Sequence, residues 1–223
     1  DPGSQIYVRN KEKACQLVGI ASTVLRLPDT TTQKELESLI HQFNEDEAVD
    51  GILVQVPLPG HMDEAAALSL IKPGKDVDGF HIKNMGKLFA GMETIVACTP
   101  QGVMHMIKST GVPISGKEAV VVGRSNNVGK PIAILLLQEN ATVTVCHSRT
   151  KDLAAHTRRA DILVAAVGKP KFITGDMVKP GAVVIDVGIN RVDGKVVGDV
   201  DFEAASQVAG YISPVPGGVG LMT

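Results

Sequence analysis

The stretch "AVVVGRSNNVGKPIAIL", residues 119–135, runs apolar, turns through Gly123 and Gly129, and becomes apolar again. Ala119–Val122 reads as a buried strand, and Pro131–Leu137 as a helix whose first turn tolerates proline. A dinucleotide loop is usually marked by G-x-G-x-x-G, and only two glycines stand here, six positions apart. A strand feeding a helix through glycines is expected to leave unpaired N–H groups at the helix start, which favour a phosphate. From this stretch alone, phosphate binding and an ordinary strand-to-helix turn both remain open.

Outward from it, strand-like runs recur at Ala141–Cys146, Asp161–Val167 and Ala182–Val187, with helical stretches between them. Such alternation predicts a Rossmann-like parallel sheet with crossover helices, whose ligand-bearing residues follow the strands. Small or polar clusters do follow: Gly123-Arg124-Ser125, His147-Ser148-Arg149, Gly168-Lys169-Pro170 and Gly188-Ile189-Asn190. NAD enzymes of this type place an acid after the second strand for the ribose hydroxyl. Here His147-Ser148-Arg149 takes that place and, with Arg124, makes a cationic, hydroxyl-bearing cluster suited to a 2′-phosphate or else a solvated basic turn.

The first half repeats the α/β logic in shorter form. Helices are expected over 5–18 and Thr32–Phe43, a strand over 51–56, and a third helix capped by Asp63. Thr99-Pro100 reads as a cap and first-turn pair opening a helix to about Lys108, and as the hinge between two α/β halves. The closing "SPVPGGVGLMT" is too rich in Pro and Gly for a helix or central strand. Its glycines let backbone approach a flat ligand, unless it is a plain linker.

Composition narrows the function classes. With 223 residues, 44% hydrophobic, and a formal charge of −2, the chain is large enough for two modest domains. Dispersed basic residues, two Tyr, five Phe and no Trp argue against nucleic acid, and no apolar run approaches the roughly 20 residues of a membrane helix. Cys15, Cys98 and Cys146 are odd in number and form no C-x-x-C pair. That pattern argues against a disulfide framework and a zinc site, and for a reducing, cytoplasmic compartment. The chain opens with Asp-Pro-Gly-Ser rather than Met and stops after a glycine-rich loop, so both ends look cut, and the presence or loss of a targeting segment stays open.

Three polar residues of the first half stand out. Positions 7, 11, 14 and 18 share a helical face, which puts Lys11 on a stripe with Tyr7, Ala14 and Val18. Lys11 either snorkels past that stripe or is a partly dry amine fit to act as a base. Gln55 lies at the end of an apolar run and either braces the Pro57-Leu58-Pro59 turn or meets a ligand. Asp76 and Asp78 stand in a glycine-containing turn, where aspartates commonly bond local backbone.

Together these motifs resemble the bifunctional methylenetetrahydrofolate dehydrogenase/methenyltetrahydrofolate cyclohydrolase family. "YVRNKEKA", "DGILVQVPLP", "KDVDGFH", "CTPQG", "VVVGRSNNVGKP", "VIDVGIN", "VVGDVDF" and "PVPGGVG" carry the resemblance, in this order from end to end. Family members usually add a strand and helix before Asp1 and a helix after Thr223. The resemblance implies a folate-binding catalytic domain over 1–98 and an NADP-binding domain over 99–223, two α/β halves with a cleft between them. It implies a homodimer whose substrate is a tetrahydrofolate derivative. 5,10-Methylenetetrahydrofolate is oxidised with NADP, and the methenyl product is hydrolysed to 10-formyltetrahydrofolate.

By the same resemblance Lys11 is the catalytic lysine, Gln55 its partner, Tyr7 the ring stacking on folate, and Asp78 the pterin-holding carboxylate. Arg124 and Ser148 match contacts to the 2′-phosphate, while Thr99, Gly168 and Ile189 match neighbours of the nicotinamide. Gly123 and Ser125 fall in the pyrophosphate loop, and Pro216, Gly217 and Gly218 in the closing substrate loop. Leu221 departs from the family's P-G-G-V-G-P-M-T, where a second proline is expected, so proline there is expected to stabilise the loop if its N–H is unbonded. Two alternatives stand beside this reading. One is another NADP-dependent dehydrogenase of two-half layout, and the other is a truncated or inactive nucleotide-binding module.

Overall fold

The computed structural model describes the backbone of residues 2–223 and, before residue 8, the side chain of Gln5 alone. The chain forms two compact units, Asp1–Val77 and Asp78–Thr223. The 98/99 boundary expected from sequence falls inside the second.

In the first unit, α1 (Pro2–Val18) ends where Gly19 turns to φ 78° and the Ile20 N–H bonds back to the Cys15 carbonyl at 2.9 Å. Helix α2 (Gln33–Glu45) starts on a capping box. Thr32 Oγ1 accepts the Glu35 N–H at 3.3 Å, and Glu35 Oε2 accepts the Thr32 N–H at 2.7 Å. Asp63 caps α3 (Glu64–Leu70) by accepting the Ala66 N–H at 3.0 Å, as its sequence position predicts. The expected strand over 51–56 is reduced to one parallel bridge, Ile52 with Asp76. Its apolar residues instead join α2 and α3 in a small core of Leu36, Ile40, Ile52, Val54, Ala67 and Ile71. The stripe expected around Lys11 is not a buried one, since Ala14 is exposed and Val18 is 70% exposed.

The second unit opens with α4 (Ile82–Phe89) and α5 (Cys98–Ser109). Its sheet takes the order β2-β1-β3-β4-β7, all parallel, from β1 (Glu118–Val122), β2 (Thr142–Cys146), β3 (Ile162–Ala165), β4 (Val183–Asp186) and β7 (Tyr211–Ile212). A hairpin of β5 (Asn190–Val192) and β6 (Lys195–Val197) lies outside it. Strand residues alternate between two buried faces. Ala119, Val121, Ile162 and Val164 pack with Val103 and Ile107 of α5 and with Ile132 and Leu136 of α6 (Gly129–Gln138). Val120, Val122, Leu163 and Ala165 pack with Ile173, Val178 and Ala205, the last from α8 (Phe202–Ser206). Burial on both faces explains why these strands read as unbroken apolar runs. Helix α7 (Leu153–Thr157) follows β2.

Two helix boundaries differ from expectation. Helix α5 begins one residue before Thr99, on Ala97 without a side-chain cap. The Thr99 hydroxyl is instead 2.9 Å from that of Thr223. The closing segment does contain a helix, α9 (Val219–Met222), started from Gly218. Its single turn packs on α5, where Gly102 leaves room for Met222.

Candidate functional site

In the first unit, α1 and the run after Gly51 bring two predicted residues together. The half-buried Lys11 ammonium donates to Gln55 Oε1 at 3.2 Å, and Gln55 Nε2 donates to the Val56 carbonyl at 2.9 Å. Gln55 therefore both braces the start of the proline turn and aims its oxygen at the lysine. The amide orientation is fixed by having one donor and one acceptor engaged. The Tyr7 side chain lies outside the described residues.

Asp78, half-buried, opens the second unit. Gly79 after it has φ 69°, and a Cβ there would sit 2.8 Å from the Ala97 nitrogen and 2.9 Å from the Ile95 carbonyl oxygen. The turn that presents Asp78 thus requires glycine twice over, for its dihedral and for its close approach.

The order β2-β1-β3 makes the chain leave β1 towards one side and return on the other, so the ends of β1 and β3 form a topological switch point, where open α/β sheets bind ligands. Gly123 follows β1 at φ 134°, and a Cβ on it would collide with the Ala166 carbonyl oxygen just past β3. Because Val122 pairs with Cys146, Arg124 and Ser148 each stand two residues beyond adjacent strand ends, both exposed. None of the ion pairs among the described residues takes the Arg124 guanidinium. The turn carrying Ser148 is held from within. The His147 N–H donates to Thr150 Oγ1 at 2.9 Å, and the Arg149 N–H donates to His147 Nδ1 at 3.2 Å. The first carboxylate after β2, Asp152, accepts the Ala155 N–H at 3.3 Å as the cap of α7.

The expected free N–H groups at the start of α6 are not there. The Gly129 N–H donates to Ser125 Oγ at 3.3 Å, that of Lys130 to the Ser125 carbonyl at 3.0 Å, and Pro131 has none. Ser125 satisfies the helix end itself, so the loop offers an anion its shape and its side chains rather than those amides. Further along the strand ends, the Gly168 N–H donates to Asp199 at 2.9 Å. Ile189 is 53% exposed, with its Cδ1 3.6 Å from where a Cβ on Gly220 would sit. Pro216 and Gly217 are exposed, and Gly218 is buried against the Pro214 carbonyl. The Leu221 N–H, which proline would lack, donates to the Gly218 carbonyl at 3.0 Å. The condition under which proline stabilises this loop is therefore not met.

Sequence reading passed over two buried carboxylates beside this edge, Asp186 and Asp199, 3% and 0% exposed. Asp186 Oδ1 accepts the N–H groups of Gly188 and Asp199, and Oδ2 that of Val200, each at 2.9 Å. Burial pushes the Asp186 carboxyl above the ordinary carboxylate range, against the pull of those three bonds. The signal in the sequence is the pairing of Asp186-x-Gly188 with Gly198-Asp199. A Cβ on Gly188 would collide with the Asp199 carboxylate, and one on Gly198 with that of Asp186.

The residues at the strand ends fit NADP: a guanidinium and a hydroxyl beyond adjacent strands, a glycine-lined crossing between β1 and β3, and no free acid after β2. Comparison with known proteins agrees. Residues 1–78 match the catalytic domain of tetrahydrofolate dehydrogenase/cyclohydrolase, and residues 97–223 match its NAD(P)-binding domain. The bifunctional protein FolD of Exiguobacterium sibiricum is 60% identical over the whole chain, which covers 80% of that relative. The crystal structure of the bifunctional enzyme FolD from Campylobacter jejuni has 51% identity and a TM-score of 0.97, covering 100% of this chain and 79% of that one. The Trypanosoma brucei methylenetetrahydrofolate dehydrogenase-cyclohydrolase, solved with NADP cofactor and inhibitor, has 45% identity and a TM-score of 0.93, covering 99% and 78%. On these grounds the chain belongs to the tetrahydrofolate dehydrogenase/cyclohydrolase family.

Proposed function

We infer that the protein oxidises 5,10-methylenetetrahydrofolate with NADP and hydrolyses the methenyl product to 10-formyltetrahydrofolate. The observation that carries this reading is the Lys11–Gln55 pair in a chain whose other unit ends its strands in Arg124 and Ser148. When bound, NADP supplies the acceptor for the hydride that leaves the methylene bridge. Arg124 and Ser148 are assigned to its 2′-phosphate, where bonds to an ionised group are the stronger kind. Gly123 and Ser125 are assigned to the pyrophosphate, and Thr99, Gly168 and Ile189 to the nicotinamide end.

Hydrolysis needs a base, because water loses a proton as it attacks the cationic methenyl carbon. Lys11 takes that proton at Nζ as the carbon–oxygen bond forms, and Gln55 fixes the direction of the amine. The carbon's bond to N5 then breaks as the formyl C=O forms, and the remaining water proton ends on N5, which leaves the formyl group on N10. Asp78 is assigned to the pterin ring, Tyr7 to stacking on the folate, and Pro216, Gly217 and Gly218 to the substrate's rim. Folate binding is assigned to residues 1–98 and NADP binding to residues 99–223. Support for that division is that the two family matches stop at 78 and resume at 97. We assign the protein to the cytoplasm as a homodimer. The compartment is supported by the three free cysteines, and the assembly by the family resemblance. Among the described residues no helix is long and apolar enough to cross a membrane.

The test is a spectrophotometric assay with 5,10-methylenetetrahydrofolate and each nicotinamide cofactor. Turnover with a clear preference for NADP over NAD is expected. Absence of turnover with either would overturn the reading.

A further inference from the structure

The loop after β3 carries the Gly168 assigned to the cofactor, and its shape is set from behind by one buried side chain. Asp199 Oδ2 accepts the N–H groups of Val167 at 2.6 Å and Gly168 at 2.9 Å. Its Oδ1 accepts the Lys169 N–H and the Asn190 amide, both at 2.9 Å. Three successive main-chain donors, with Gly168 at φ 64°, form the kind of concavity that binds an anion, and here it is filled by the protein's own carboxylate. A carboxylate has about four lone-pair sites, and all four are used. The fourth donor ties in Asn190, the first residue after Ile189, so one carboxylate fixes the loops after both β3 and β4.

Asp199 is itself held. Its N–H donates to Asp186 Oδ1 at 2.9 Å, and Asp186 terminates β4, paired with Ala165 at the end of β3. Gly188 lies too close to the Asp199 carboxylate to carry a Cβ.

We propose that Asp199 is a positioning residue of the cofactor site, which holds the loop Val167–Lys169 in its binding shape before NADP arrives. The inference rests on NADP being bound at these strand ends, as proposed above. Pre-forming a loop removes its ordering cost from the binding step, so loss of the carboxylate appears as weaker cofactor binding.

Asp199→Asn is the test, because the amide keeps the size but turns a donor towards donors. Three quantities are read: NADP affinity by titration calorimetry, KM and kcat with NADP varied, and amide hydrogen exchange of residues 167–169 in the cofactor-free protein. NADP affinity is expected to fall about tenfold or more, the loss falling on the KM for NADP rather than on kcat at saturation. The amides of 167–169 should exchange at least tenfold faster while β1 and β3 keep their protection. Parent-like affinity, or faster exchange spread equally over the whole sheet, would overturn the proposal. If Asp199→Asn does not fold, Asn190→Ala removes a single donor to the same carboxylate. A threefold or greater loss of NADP affinity with faster exchange at 167–169 is then expected, and unchanged values overturn the proposal. Failure of the parent protein to bind NADP would instead refute the functional reading on which the inference rests.

Discussion

Ile52–Val56 and Ala119–Val122 are both apolar runs, yet only the second becomes a strand with neighbours on both sides. Around Ala119–Val122 the second unit gathers one cluster of fifteen buried residues and another of twelve, one on each face of the sheet. Among the described residues the corresponding cluster of the first unit holds six, and outside it Leu17 is 87% and Val18 70% exposed. The difference teaches that an apolar run is made into a strand by what pairs with it, because unpaired main-chain groups gain nothing from burial. It also separates two kinds of function. The residues assigned to the cofactor stand at the strand ends of a sheet buried on both faces, while the lysine proposed as the base is held by one helix and one side-chain hydrogen bond.

Core truncation is the largest lever on this contrast. Ile132→Ala, at a site wholly enclosed by the sheet and α5, is expected to cost towards the upper end of about 2–5 kcal/mol. Ile40→Ala, in the small cluster, should fall towards the lower end of that range, since sparser surroundings collapse more easily. Urea unfolding of the two variants checks this, and a reversed order would break the comparison. Next comes Arg124→Ala, which should weaken NADP by about 1.5–3 kcal/mol, the range for hydrogen bonds to a charged group, and NAD much less. Equal losses for both cofactors in a binding titration would remove Arg124 from the 2′-phosphate.

Smaller effects sharpen the picture of how each segment is held. Leu221→Pro should lower stability by about 0.5–1.5 kcal/mol, because it deletes the hydrogen bond to the Gly218 carbonyl. A raised melting temperature would show that this bond contributes nothing. Asp161→Asn should cost about 1 kcal/mol or less at neutral pH, as its partner Lys179 is partly exposed. The Lys179 ammonium, donating at 2.6 Å, holds the Asp161 carboxyl below its ordinary range. A depressed folded-state pKa gives stability that is present above the unfolded value and lost as pH falls through the folded one. The gap between parent and variant should therefore be full at pH 7 and close towards pH 3. A gap independent of pH in that interval would contradict the assignment.

How much of this was legible in the sequence follows the same division. Strands β1, β3 and β4 stand out because burial on both faces leaves runs such as Val120–Val122 and Ile162–Ala165 without a polar residue, whereas the edge strand β2, exposed at Thr142 and Val145, is legible by its alternation of threonine and valine. Caps at Thr32 and Asp63 were legible because a cap is a local bond between near neighbours. Thr99 reads as a cap from sequence, but the partner of its hydroxyl is Thr223, 124 positions away and out of reach of any local pattern. The same distance problem hid the Asp186–Asp199 pair, whose glycines and carboxylates meet only once β4 and the turn after β6 are side by side. Lys11 stands out by its helical face, but Ala14 and Val18 of that face are exposed, and what fixes the amine is Gln55, 44 positions on. The loop at Gly123 was placed correctly as a strand-to-helix turn, whereas its free amides were not, since Ser125 consumes them.

Hydrolysis is assigned to the Lys11 amine and cofactor binding to the sheet edge of the other unit. To separate the two, methenyltetrahydrofolate is supplied without cofactor to Lys11→Met, shown to be folded by circular dichroism, and the loss of the substrate's absorbance is followed. Removing a general base should slow hydrolysis by about 10²–10⁴-fold, with NADP affinity unchanged. Hydrolysis at near the parent rate would contradict the account and leave Lys11 a half-buried side chain that merely anchors Gln55.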